Sequence, residues 1–286
     1  MAPLGLEGNF LKVLPIVAIE SYLFYLTFGM KPRECQVVLA VVGLWWCWAA
    51  LLVEIQIEKA YPHFNYENPV DPEMTKYKPF CDFAPWATCS KVLMSPPGRF
   101  LKFFGIAKER HGFFFDKWSG DGMMEKFRGA IDIPNPTLGV IFFGFHLIFP
   151  VLMVLPFPIL NKIIAWVFFG ACCGVGAMTI WLAYNLFFVL KDFCVVCVSM
   201  YVANFFLIPM MFRLAMTNIV DVSADEGFLK IFTMENFFGD MPIALLGSLG
   251  ALLALDALMG CAAIFLYFCT GVKAREADED YRAILA

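Results

Sequence analysis

The sequence predicts an all-α integral membrane protein with about six spanning helices, and three observations carry that prediction. The 286 residues are 60% hydrophobic and only 16% charged, whereas a soluble domain is roughly half apolar and a quarter charged. Mean hydropathy is +0.72. The apolar residues also gather into separate stretches of about 20, the length a helix needs to cross the hydrocarbon layer.

The first stretch runs from about Phe10 to Phe28, with Pro15 and Glu20 inside it. The second covers about Gln36 to Ile57, and a long polar stretch, 58–134, follows it. Three more come in quick succession at about 137–156, 159–190 and 195–216. The middle one is long enough to tilt or to project beyond the bilayer. After a connection containing "DVSADEG", a sixth covers about 241–270, ahead of the charged tail "VKAREADEDYRAILA". The N-terminus "MAPLGLEGNFLKV" lacks the basic region and cleavage site of a secretory signal, and it is not an Arg/Ser-rich transit peptide, so the first segment is expected to remain.

Short loops rich in Lys and Arg stay cytoplasmic. Lys31 and Arg33, Lys162, and Arg213 fall on one side if the six helices are right. Both termini, the 58–134 loop and the 191–194 turn then share the opposite, lumenal face. Within the loop, "RFLKFFGIAKERHGFFFDKW" (99–118) interleaves Phe and Ile with charges. That pattern suits an ordinary surface helix, or one lying in the bilayer interface with its apolar face down. The net charge of −4, with no long cationic stripe, argues against nucleic acid as a partner.

Ten cysteines are read by position. Cys194 and Cys197 open the fifth segment three residues apart, facing the same way on a first helical turn and able to form a disulfide. Asp192 stands just upstream as an N-cap candidate, so the positive end of the helix would point at Cys194 and lower its thiol pKa. The bland reading is two small packing residues in a lipid-facing helix. A zinc site is disfavoured, because no second CxxC or His pair completes four ligands. Cys81 and Cys89 are the only cysteines in the long loop. Alone they fit a structural disulfide equally well. With Cys194 and Cys197 they make a second dithiol on the same expected face, which is what a two-step exchange relay requires. Cys47, Cys172, Cys173, Cys261 and Cys269 lie inside apolar segments, where cysteine is usually a packing residue, and Cys35 at a boundary is assigned nothing.

Taken together, "CDFAPWATCS" followed by Ser95, "IPNPTLG" with Asn135 and Gly139, and "YNLFFVLKDFCVVCVSMY" resemble the vitamin K epoxide reductase family in order and spacing. The resemblance covers about residues 36–216. It leaves outside the first helix and loop (1–35), an insertion within about 105–133, and residues 217–286. It implies a four-helix transmembrane bundle around a quinone pocket at the lumenal end, with one extra helix at each end of the chain. Cys194 and Cys197 would be the active-site dithiol, Cys197 facing the quinone and Cys194 exchanging with the loop, while Cys81 and Cys89 shuttle electrons. Asn135 and Tyr201 would hydrogen-bond the substrate oxygens. Leu93, Leu138, Phe142 and Leu182 would form the apolar wall. The two prolines of "MSPPG" depart from the Arg and Trp common in relatives and leave the shape of the pocket cap open.

The expectation is therefore a thiol:quinone oxidoreductase of the endoplasmic reticulum membrane that reduces vitamin K quinone, its epoxide, or both. It would hold no metal and no tightly bound cofactor. With no further CxxC after residue 216, its electron donor is expected to be a separate protein of thioredoxin fold, like a protein disulfide isomerase. One alternative is a disulfide-generating oxidase using ubiquinone or plastoquinone in a plastid or mitochondrial inner membrane. Another is a non-catalytic subunit of a larger membrane complex.

Overall fold

The computed structural model describes residues 31–60, 78–107, 133–153, 155, 157–216 and 250–265, together with eight positions of the first apolar segment. In chain order the helices are α1 (Pro32–Ala60), two short pieces of the loop, α2 (Cys89–Leu93) and α3 (Phe100–Phe103), then α4 (Asn135–Leu152), α5 (Pro158–Tyr184) and α6 (Val195–Met216). A last helix, α7, spans Gly250–Phe265. Among the described residues only the bridge between Ala84 and Ala87 is strand-like.

Among the described residues, four helices are long and apolar enough to cross a bilayer: α1, α4, α5 with its extension to Val189, and α6. They correspond to the second to fifth expected segments. Leu14, Pro15, Val17, Ala18, Ser21, Tyr22, Phe24 and Tyr25 of the first segment are all helical. The remainder of that segment, and the sixth segment beyond α7, lie outside the described residues. Ends moved where proline dictates them. α4 starts at Asn135, with Pro136 in the first turn where its missing N–H costs nothing, and α5 starts at Pro158 for the same reason.

Helix α1 packs on α4 and α6, and α6 packs on α5. Burial follows from that order: 78% of the most apolar window of α1 is buried against 22% for α5, whose face is left to lipid. Close approach needs small residues. A Cβ at Gly43 of α1 would overlap the Phe143 ring of α4, and one at Gly139 would overlap the Cys47 sulfur.

Several polar groups inside the bundle find partners there, as a water-free interior favours. Gln36 Nε2 donates to the His146 carbonyl at 2.6 Å. His146 Nδ1 lies 2.8 Å from the Phe142 carbonyl, which can only accept, so Nδ1 carries the proton. Its bare Nε2 then accepts from the Cys172 thiol at 3.2 Å. Asn204 Nδ2 donates to Thr179 Oγ1 at 3.0 Å.

The expected amphipathic helix over 99–118 is, in its described part, a single turn. α3 stops at Phe103, and Gly105 takes a left-handed φ of 68° that ends it. Residues 108–118 lie outside the described residues. Phe103 and Phe104 are half exposed and stack on Trp181 of α5 at 5.0 Å each.

Candidate active site

The turn between α5 and α6 sets the site. α5 ends in a π-turn, Asn185–Val189, closed by the Leu190 N–H to Asn185 O bond of 2.8 Å. Such widened turns recur at functional sites, and this one places Asn185, Leu186 and Leu190 on the wall of a cavity. Lys191 then adopts a left-handed φ of 51°, which reverses the chain and turns Asp192 back toward the loop.

Asp192 is not the cap of α6. Its carboxylate accepts the Thr88 N–H at 3.0 Å and the Thr88 hydroxyl at 2.7 Å. It also lies 3.1 Å from the half-exposed Lys91 ammonium. The expected cap fails because these loop donors, more than 100 positions away in sequence, claim both carboxylate oxygens. Cys194 is the cap instead. Its carbonyl accepts the first intrahelical bond, from Val198 N at 2.9 Å, and its Sγ accepts the Cys197 N–H at 3.3 Å. A sulfur so placed sits against the positive end of the helix.

The loop meets this turn as a hairpin. Phe83 N–H bonds to Ala87 O at 3.2 Å, Ala87 N–H to Ala84 O at 2.9 Å, and Phe193 N–H to Trp86 O at 3.0 Å, pinning the hairpin tip to the approach of α6. Asp82 accepts the Ser90 N–H at 3.1 Å and the Ser90 hydroxyl, tying the start of the hairpin to α2. Burial raises the Asp82 carboxyl above its ordinary range, partly offset by these bonds.

All four predicted redox cysteines come together. Cys194 and Cys197 are disulfide-bonded, with Cα atoms 5.2 Å apart. Cys81 and Cys89 are free thiols, and Cys89 Sγ lies 3.5 Å from Cys194 Sγ. Cys81, Cys89 and Cys194 expose none of their surface and Cys197 exposes 5%. Burial, then the hydrogen bond with Cys89, pushes the Cys81 thiol well up, so Cys81 stays protonated at neutral pH while the hairpin is docked.

Beyond the disulfide lies an apolar cavity with about 450 Å³ of atom-free space in and at its mouth. Cys197, Tyr201, Asn135, Leu93 and Leu182, all named from the sequence, line it. Leu138 and Phe142 do not. They share the Asn135 face of α4 by periodicity, but the cavity reaches only the first turn of that helix. Phe142 lies about 10 Å further along at 1.5 Å per residue, where its ring packs on His146 at 4.4 Å.

The cap, left open by the sequence, is built from Ser95, Pro97 and Gly98. Pro96–Gly98 form a 3-10 turn in which a Cβ on Gly98 would strike the Leu93 carbonyl. Asn135 holds this cap: its Nδ2 donates to Pro97 O at 2.7 Å and its Oδ1 accepts Phe100 N–H at 2.8 Å. One Nδ2 hydrogen and one Oδ1 lone pair are left for a ligand, so the amide has a clamping duty that the sequence did not disclose. Glu54 of α1 meets Arg99 at 3.8 Å beneath the cap, both side chains buried. Val92, Pro136 and Met200 complete the lining. None of them carries a motif; the proline pair and the Phe-rich approach to the CxxC were the available signals.

The arrangement is thus a helix-anchored disulfide between a dithiol on a hairpin and an apolar cavity rimmed by an amide and a phenol. The vitamin K epoxide reductase family model matches residues 35–212, well over half of the chain. With its spanning helices and paired cysteines, the chain belongs to the vitamin K epoxide reductase family, multi-pass membrane proteins that reduce quinones at the expense of thiols.

Proposed function

We propose that this protein reduces vitamin K quinone, its epoxide, or both, with electrons relayed from a lumenal thioredoxin-fold protein through Cys81 and Cys89 to Cys194 and Cys197. The single observation that carries the reading is Cys89 Sγ at 3.5 Å from Cys194 Sγ, while Cys197 lines the cavity. A Cys89 thiolate attacks Cys194, and Cys197 leaves as a thiolate toward the cavity. Cys81, giving up its proton to the released CxxC thiolates, then attacks the Cys89 sulfur of the mixed disulfide, which frees Cys194 and closes the loop disulfide. The CxxC now holds two electrons and two protons. Given to a quinone they yield the hydroquinone; given to an epoxide they yield the quinone and water.

The substrate has a lipid-soluble tail, so it arrives through the bilayer, whereas the thiol donor stays in water. Two dithiols divide that work. Charge developing on the substrate oxygens is met by the Asn135 amide and the Tyr201 hydroxyl in an apolar surround, where such donors are most effective. Leu93 and Leu182 hold the ring. No metal and no tightly bound cofactor enters the scheme. The endoplasmic reticulum membrane suits a lumenal thiol donor.

The test is a reduction assay on purified protein with a small membrane-permeant dithiol. Consumption of both vitamin K quinone and its epoxide is expected. Turnover of ubiquinone or plastoquinone with no epoxide opening would favour the oxidase alternative. Absence of any quinone-dependent oxidation of Cys194 and Cys197 would leave a structural subunit.

A further inference from the structure

The loop thiols have a neighbour that the relay does not use. The hairpin brings the Cys81 and Cys89 sulfurs and an Asp82 carboxylate oxygen within 4.8 Å of one another, all three residues buried. A point central to three such atoms lies at most about 2.8 Å from each, 4.8 divided by √3. Zinc bonds to thiolate and carboxylate are about 2.3 and 2.0–2.2 Å, so side-chain shifts of about half an ångström would close the set around an ion. Asp82 takes hydrogen bonds from the backbone N–H groups of Cys89 and Ser90 and from the Ser90 hydroxyl. These bonds hold the carboxylate in place beside the two sulfurs.

We propose that the reduced hairpin dithiol and Asp82 form a binding site for a thiophilic divalent cation such as Zn²⁺, and that its occupancy withdraws the loop from electron transfer. Binding replaces one proton on each thiol, so two protons leave and no electrons move. The ion's own charge offsets the burial that keeps Cys81 protonated. Once Cys81 and Cys89 form a disulfide, neither sulfur can supply a thiolate and the site disappears. It is therefore confined to the reduced loop. In the fully reduced protein Cys194 is placed to supply a fourth ligand: its sulfur is 3.5 Å from that of Cys89, close to the roughly 3.8 Å between two sulfurs on one tetrahedral zinc. The withdrawal from the relay rests on the function proposed above; the binding itself does not.

The experiment is a Co²⁺ titration of full-length detergent-solubilised protein, reduced with a phosphine that is then removed, followed by thiolate-to-cobalt absorbance. One Co²⁺ per chain is expected, displaced by Zn²⁺ and absent after oxidation of the dithiols. Asp82→Asn, which preserves an acceptor for Ser90, should weaken binding at least tenfold with the sulfur bands retained. Cys194→Ser/Cys197→Ser should still bind. Unchanged binding in Cys81→Ser/Cys89→Ser would overturn the proposal by moving the ion elsewhere, and unchanged affinity in Asp82→Asn would overturn the carboxylate ligand. Because absorbance needs no quinone, failure of the site is separable from failure of the redox reading.

Discussion

Two sets of cysteines in this bundle are equally buried and chemically opposite. Cys47 and Cys172, in the membrane-spanning part, expose at most 1% of their surface, as do Cys81, Cys89 and Cys194. Cys47 meets the Met200 thioether at 3.4 Å, and Cys172 meets the His146 imidazole at 3.2 Å. Neither partner can accept a sulfur–sulfur bond. The site cysteines instead have another thiol at exchange distance, the N-terminus of α6 against Cys194, and a hairpin that can carry one pair. Burial thus says little about reactivity here; the identity of the second atom decides.

The comparison can be broken most sharply at Cys197. Cys197→Ala should reduce quinone turnover to below about one-hundredth with any reductant, since no thiolate faces the cavity. Cys172→Ser should leave it within about twofold, because a hydroxyl can still donate to His146. Comparable losses in both would erase the distinction. Next in size is Cys81→Ala. With a protein donor we expect about a hundredfold loss, and with a small dithiol that reaches Cys194 and Cys197 directly, little change. Equal loss with both reductants would defeat the relay.

A smaller effect tests the docking of the hairpin. Asp192→Asn keeps an acceptor for Thr88 but loses the ion pair with Lys91, so transfer from loop to helix should slow by about tenfold. The measurement is the rate at which the Cys89–Cys194 mixed disulfide is trapped in a Cys81→Ala background. Turnover with the small dithiol should hold, which a merely unfolded variant could not manage. Smallest is Asn135→Ala, which frees the Pro97 carbonyl and orphans the Phe100 N–H. About 1–3 kcal/mol of thermal stability should go, with a raised KM for quinone.

Much of this was legible from residues alone. Apolar length set the four spans, since a bilayer imposes its thickness on any helix that crosses it. Order and spacing marked the two cysteine pairs. Rotation and depth were not legible: α4 is apolar on every side, so nothing in its sequence says that the cavity ends one turn below Asn135 and short of Phe142. Partnership was hidden too. Asp192 looks like a cap to its own helix because local spacing is all a sequence shows, while two of the donors it serves, Thr88 and Lys91, lie across the fold. The resemblance made Asn135 a substrate contact but could not show its hold on the cap, which is a long-range bond.

The hairpin that carries Cys81 and Cys89 is continuous with the segment that roofs the cavity, from Val92 through Gly98. Under the relay proposed above, a donor protein must reach sulfurs that are sealed from solvent, so recharging them would require this stretch to lift. Lifting it also strips away the ceiling over the reaction chamber. Reloading with electrons and discharge of the spent molecule therefore belong to one stroke of the same lever, and a ligand that wedges the roof shut would starve the enzyme as well as plug it.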